Sequence, residues 1–182
     1  MKVSPWLALA AHVLLAQPAL AAVDNGGWEI QNTSEGITLG LYQESGLVDV
    51  TYLSLSVSTL GSGPTASRTL TGTNFTLDGG AIVYAVQLGD TLSNAAFNAG
   101  SFPVLVGPSL VNWSSLTVEG NEEFWLGAQT REGNAGQNPW TGLGWARARF
   151  DDNGQLTLLD SAMGYNVDTL VVGAVPEPGT WA

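Results

Sequence analysis

The sequence predicts an all-β fold: a single sandwich of jelly-roll type. Three observations carry that prediction. Short apolar runs alternate with polar residues at a period of two, the period of strands rather than helices. Glycine is abundant, 23 of 182 residues, and falls with Asn and Asp between the runs, where turns need it. Only one stretch has helical spacing. About ten short strands at fairly regular intervals, with no internal repeat, suit one two-layer domain. An immunoglobulin-like sandwich is the alternative, although it usually has fewer strands.

Residues 1–21 read as a secretory signal peptide. Lys2 supplies the positive start, residues 6–15 the apolar stretch, and Ala19-Leu20-Ala21 an A-x-A cleavage site marked by Ala19 and Ala21. The sandwich then occupies 22–174. Strands are predicted at 28–31 and 36–42, the second with Ile37, Leu39 and Leu41 in one phase. Residues 47–58 carry two phases: Val48, Val50 and Tyr52, then Leu53, Leu55 and Val57. That switch predicts a bulge at Tyr52/Leu53 or burial on both faces. After a Gly/Ser/Pro loop, 68–73 and 74–77 read as a short hairpin. Residues 81–88 form a strand with Ile82, Tyr84, Val86 and Leu88 on one face. The helix candidate is 90–100, capped by Asp90, stopped by Gly100, with Leu92 and Ala96 on one side.

Residues 102–106 and 116–118 are short strands. Residues 123–129 place Phe124, Leu126 and Ala128 on one face. A polar loop follows at 130–142. Residues 144–150 place Ala146, Ala148 and Phe150 on one face, with Trp145, Arg147 and Arg149 on the other. Asp151-Asp152-Asn153-Gly154 is a hairpin turn leading to a strand at 155–160. Residues 162–168 read as loop, and 169–172 close the domain.

Composition narrows the chemistry. Five Lys and Arg stand against 16 acids, and Lys2 lies in the leader, which leaves Arg68, Arg131, Arg147 and Arg149. So acidic a chain repels phosphate backbones, which argues against nucleic acid as a partner, and it has no basic face for anionic lipid. Cysteine is absent, and the single histidine, His12, also lies in the leader. Ser–His, Cys–His and Schiff-base catalysis then have no residues to work with, and neither do the common zinc sites. A pair of carboxylates is what remains for catalysis. Glu122/Glu123 and Asp151/Asp152 are adjacent in sequence, and neighbours on a strand face opposite ways. The chain therefore reads as non-catalytic, with a glycan-active hydrolase as the alternative.

No cofactor is expected. Asp151, Asp152 and Asn153 are the candidate ligands for calcium, yet the spacing of a calcium loop is missing, and turn residues of this kind commonly satisfy their own backbone. For sugar binding the candidates are Gln129, Arg131, Asn134, Asn138 and Trp140. An aromatic beside amides and a charge suits a ring with apolar faces and hydroxyl rims. Arg147 and Arg149 are expected to pair with acids of a neighbouring strand or to stack on tryptophan.

The chain ends Val175-Pro176-Glu177-Pro178-Gly179-Thr180-Trp181-Ala182. Two prolines fix φ and remove two donors, and each pushes the preceding residue toward extended geometry. A stiff, extended segment suits recognition by a processing enzyme. The string V-P-E-P-x-T-W-A resembles the opening of the PEP-CTERM sorting signal of exopolysaccharide-producing Gram-negative bacteria. Phe124-Trp125-Leu126-Gly127, Gly144-Trp145-Ala146-Arg147 and Leu158-Leu159-Asp160-Ser161-Ala162 are similar to strands in the ectodomains of that family, so the resemblance covers 124–182. It implies a concanavalin-like or jelly-roll sandwich, processing by an exosortase-type machinery, and residence at the cell surface or in the extracellular matrix. The sorting residues would be Val175, Pro176, Glu177, Pro178, Thr180, Trp181 and Ala182. The family signal continues with a membrane helix of about 20 apolar residues and an Arg cluster. Both are expected beyond Ala182, and membrane contact would come only through that helix.

Overall fold

The computed structural model describes residues 23–24, 27–34, 36–42, 50–74, 80–107, 113–131 and 140–174. In chain order the early strands are β1 (Val23–Asp24), β2 (Trp28–Thr33), β3 (Gly36–Tyr42), β4 (Val50–Leu60), β5 (Ser67–Asn74) and β6 (Ala81–Val86). Then come β7 (Thr91–Leu92), helix α1 (Asn94–Asn98), β8 (Val104–Val106), β9 (Ser115–Glu119) and β10 (Glu123–Arg131). The chain closes with β11 (Trp140–Phe150), β12 (Leu156–Tyr165) and β13 (Leu170–Val171).

These strands build an all-β sandwich. One antiparallel sheet has the order β2-β3-β4-β5-β9, and the other β1-β12-β11-β10-β6-β8. Hairpins join β2-β3-β4-β5 and β10-β11-β12, and the remaining pairings bring together strands distant in sequence. Between the sheets lies the first core. Leu39, Leu41, Leu53, Leu55 and Leu70 meet Leu126, Ala146, Ala148 and Phe150 there.

A second core covers the opposite face of the six-stranded sheet. Tyr84, Leu92, Phe97, Leu143, Trp145, Ala162, Leu170 and Val172 form it. Alternation explains the division: Val83 and Ala146 point into the first core, and Tyr84 and Trp145, one residue away, into the second. The small β7–β13 sheet and α1 supply the cover. Phe97 stacks on Tyr84 with ring centroids 4.2 Å apart.

This second layer corrects several expectations. Trp145 keeps the face it is expected to share with Arg147, beside Trp125, but is fully buried there. Residues 162–165 continue β12 as buried strand; their Ala, Met and Gly side chains fit a sheet covered on both sides. The helix begins at Asn94, because residues 91–92 pair with β13. Its cap is Ser93, whose hydroxyl accepts the Ala96 N–H at 3.1 Å. Asp90 instead closes the preceding turn by accepting the Gln87 N–H at 2.7 Å, and Leu88 in that turn is 66% exposed.

Other boundaries shift. β4 pairs with β3 without interruption, and the register shift falls on its β5 side, between Ser54 and Leu55. Tyr52 faces solvent while Thr51 takes the inward phase. β5 runs straight to Asn74 with no turn at 73/74, and residues 75–77 lie outside the described residues, as does Val48. β10 and β11 extend into the expected 130–142 loop, pairing Arg131 with Trp140. Among the described residues, no helix is long and apolar enough to cross a membrane.

Asn32 ties the two sheets together. Its Nδ2 donates to the Leu156 carbonyl at 2.9 Å, and its Oδ1 accepts the Leu156 N–H at 2.8 Å. The side-chain amide thus acts as one extra ladder rung between β2 and β12. Asn32→Ala removes both bonds and leaves two backbone groups without them, which is expected to cost about 1–3 kcal/mol. Thermal denaturation of the variant should show a Tm lowered by several degrees.

Candidate functional site

The turn 151–154 joins β11 to β12, and Asp151 organises it. Its Oδ1 accepts the N–H groups of Asn153 at 2.9 Å and Gln155 at 2.8 Å. Gly154 follows in the left-handed region, φ +81°, where other residues are strained. Asp152 is held from across the molecule, accepting from Asn121 Nδ2 at 2.6 Å. This hairpin tip faces the β2–β3 turn and the segment leaving β4.

Between them lies an open cleft of about 470 Å³. One side carries Asn32, Thr33 and Ser34, another Ser56, Thr59 and Ser62, and the hairpin contributes Asp152, Asn153 and Gln155. Ile37 and Val57 add the apolar share. Arg68 lines the cleft from beneath and is only 2% exposed. Nη1 donates to the Gly120 carbonyl at 3.1 Å and Nη2 to the Gly63 carbonyl at 3.2 Å. The guanidinium also lies 5.2 Å from the centroid of the Phe150 ring. Backbone carbonyls and an aromatic face thus offset the cost of burying this charge.

Chemically the cleft offers hydroxyl and amide groups. Asp152 is the one acid among the described residues that line it. Glu122 sits in the turn before β10, its N–H bonded to the Glu119 carbonyl at 3.1 Å. Glu123 instead reaches Arg147, at 3.5 Å, and Asp160 approaches the same guanidinium at 3.9 Å. Arg147 also lies 5.7 Å from the Trp125 ring centroid, so the expected pairing and stacking coexist, with Trp125 as the aromatic partner. Such solvent-facing pairs contribute about 0.2–1 kcal/mol.

The calcium candidates are engaged elsewhere. Asp151 is committed to its own turn and Asp152 to Asn121, as described, and Asp160 faces Arg147. No three acidic groups converge among the described residues.

The sugar candidates separate. Gln129 is 1% exposed. Its Oε1 accepts from the Tyr84 hydroxyl at 3.2 Å, and its Nε2 donates to Asn94 Oδ1 at 2.7 Å. It braces β10 against β6 and α1, so the expectation that it meets ligand is corrected: the second core encloses it. Arg131 ends β10, its backbone N–H donating to the Gly80 carbonyl at 2.7 Å. Asn134 and Asn138 lie outside the described residues, and so does the side chain of Trp140. The leader with Ala19 and Ala21, and the tail from Val175 to Ala182, lie outside them too.

The cleft lies by the Phe150 end of β11, away from the end where Arg131 pairs with Trp140. In the sequence, Asn32-Thr33-Ser34 matches a glycosylation sequon, and nothing local marks it as part of a cleft. One signal in the sequence did point here: in β5 the alternation puts Arg68 in phase with Leu70, hence inward. No family model, no curated protein and no solved structure matches this chain.

Burial pushes the Tyr84 hydroxyl well above the ordinary tyrosine range. The unfolded chain loses that proton near pH 10, and the folded chain keeps it. The contribution to stability is therefore complete below pH 10 and declines as pH rises beyond it. Urea denaturation across that range should show falling stability, with a shallower fall in Tyr84→Phe.

Proposed function

We propose that this chain is an exported, non-catalytic protein of the cell surface or extracellular matrix that holds exopolysaccharide. Its delivery would run through the C-terminal Pro-Glu-Pro signal and an exosortase-type machinery. The observation that carries the binding part is the cleft. Hydroxyls and amides donate and accept in the same way as sugar hydroxyls, and loops at the end of a rigid sandwich are a common place for binding groups. Export rests on the leader and on the tail's resemblance to a sorting signal.

Two experiments test the two halves. Isothermal titration of the full chain with the host's exopolysaccharide should release or absorb heat without creating new reducing ends. Among the described residues no tryptophan lines the cleft, so calorimetry is the suitable readout. Removing two neutral hydrogen-bonding groups in Asn153→Ala/Gln155→Ala should weaken binding by about tenfold or more. A flat titration would overturn the binding reading. In the host, Glu177→Ala is expected to leave the protein unsorted in the cell envelope with its tail intact, as followed by fractionation and intact-mass measurement. Normal delivery of that variant would overturn the sorting reading.

A further inference from the structure

We infer that the cleft opens onto a binding track for an extended, neutral polysaccharide chain, laid along the outer face of the β2-β3-β4-β5-β9 sheet. This rests on the polysaccharide reading above and adds the ligand's length and charge.

The register builds the track. Ser56, Thr71 and Ser115 are cross-strand partners, and so are Ser58, Thr69 and Thr117. Two complete rows of hydroxyls therefore cross β4, β5 and β9. Strand spacing puts about 4.8 Å between neighbours in a row and about 6.7 Å between the rows. Thr69 and Thr117 share a hydrogen bond of 2.9 Å, and Ser56 donates to the Thr71 carbonyl at 3.3 Å. A hydroxyl has one donor and two acceptor sites, so each of these groups keeps capacity toward a ligand.

The cleft and the rows meet at Ser56, which lines the cleft and stands at the β4 end of one row. Further across the sheet, Tyr52 stands 46% exposed opposite Gly40. The missing side chain at Gly40 lets the Tyr52 ring and Glu29 lie close over it; a Cβ there would meet each of them at 3.1 Å. An aromatic on a hydroxyl face offers a sugar ring its apolar partner.

Charge selects the ligand. Among the described residues that alternation points outward from this sheet, there is no Lys or Arg, and Glu29 and Glu119 are the acids. The one arginine of these strands, Arg68, points inward and bonds to backbone. A uronate-bearing polymer would meet repulsion without a counter-charge, and a neutral one meets none. The other sheet cannot serve in the same way, because β7, β13 and α1 cover its outer face.

The experiment is calorimetry of the full chain with neutral oligosaccharides cut from the host's exopolysaccharide and graded by length. Short fragments should occupy the cleft, and affinity should rise at least tenfold as fragments grow long enough to reach the rows. Thr69→Val/Thr117→Val keeps the branched shape and removes two hydroxyls. It should abolish that gain, leave short-fragment affinity unchanged, and retain the parent Tm. Long fragments binding no tighter than short ones, or a double variant that keeps the gain, would overturn the track while leaving the cleft. If fragments of every length fail to bind, the polysaccharide reading falls and takes the track with it.

Discussion

The six-stranded sheet is buried on both faces over much of its area, and the rest of the molecule is arranged around that constraint. A sheet covered twice has little room for side chains that differ in size from what each layer needs. In β10, β11 and β12 many positions are accordingly Gly or Ala. A Cβ on Gly144 would overlap Met163 and crowd the Trp28 indole, and one on Gly127 would come within 2.8 Å of Val86. These small residues let Met163, Trp28 and Leu92 approach the backbone closely. Close packing of this kind makes even a single added carbon costly.

The same constraint governs the polar groups caught between layers. Burial makes each unbonded donor or acceptor expensive, which favours networks whose members satisfy one another. The Tyr84–Gln129–Asn94 chain is one: its three side chains come from a strand of the sheet, the next strand, and the covering helix. What looks in the sequence like a ligand-binding amide is a brace that holds the cover in register.

The legible part of the fold follows from this arrangement. The five-stranded sheet is covered on one face only, so its strands alternate cleanly, and β3 is predicted residue for residue at 36–42. The turn at 151–154 is equally readable, since Asn-Gly and its acids have local reasons to be there. The doubly covered sheet hides its pattern. Ala162, Met163 and Gly164 lack the bulk and alternation of a half-buried strand, so 162–165 read as loop. Local spacing favours Asp90 as the cap because it stands nearer the start of the apolar residues; the pairing of 91–92 with β13, a non-local contact, moves the helix start to Ser93. Of the candidate site, the sequence shows the hairpin residues Asp152 and Asn153 and the inward phase of Arg68. The cleft depends on bringing residues near 33, 61 and 153 together, and no local pattern encodes that meeting.

Arg68 makes that meeting durable. A guanidinium stays charged at every accessible pH, so its burial has to be offset by fixed dipoles. The Gly63 and Gly120 carbonyls provide them from two different turns, and the Phe150 ring closes the remaining side. Each partner lies on a separate segment, so moving any of these turns inward would strip a buried cation of a hydrogen bond, a loss of roughly 1.5–3 kcal/mol. An apolar residue at this position would favour collapse of the turns over it. The arginine instead holds them apart at fixed distances, and the space above it stays open. A chain with so few cations thus uses this one to shape the cleft, and the groups around it are mostly neutral hydroxyls and amides.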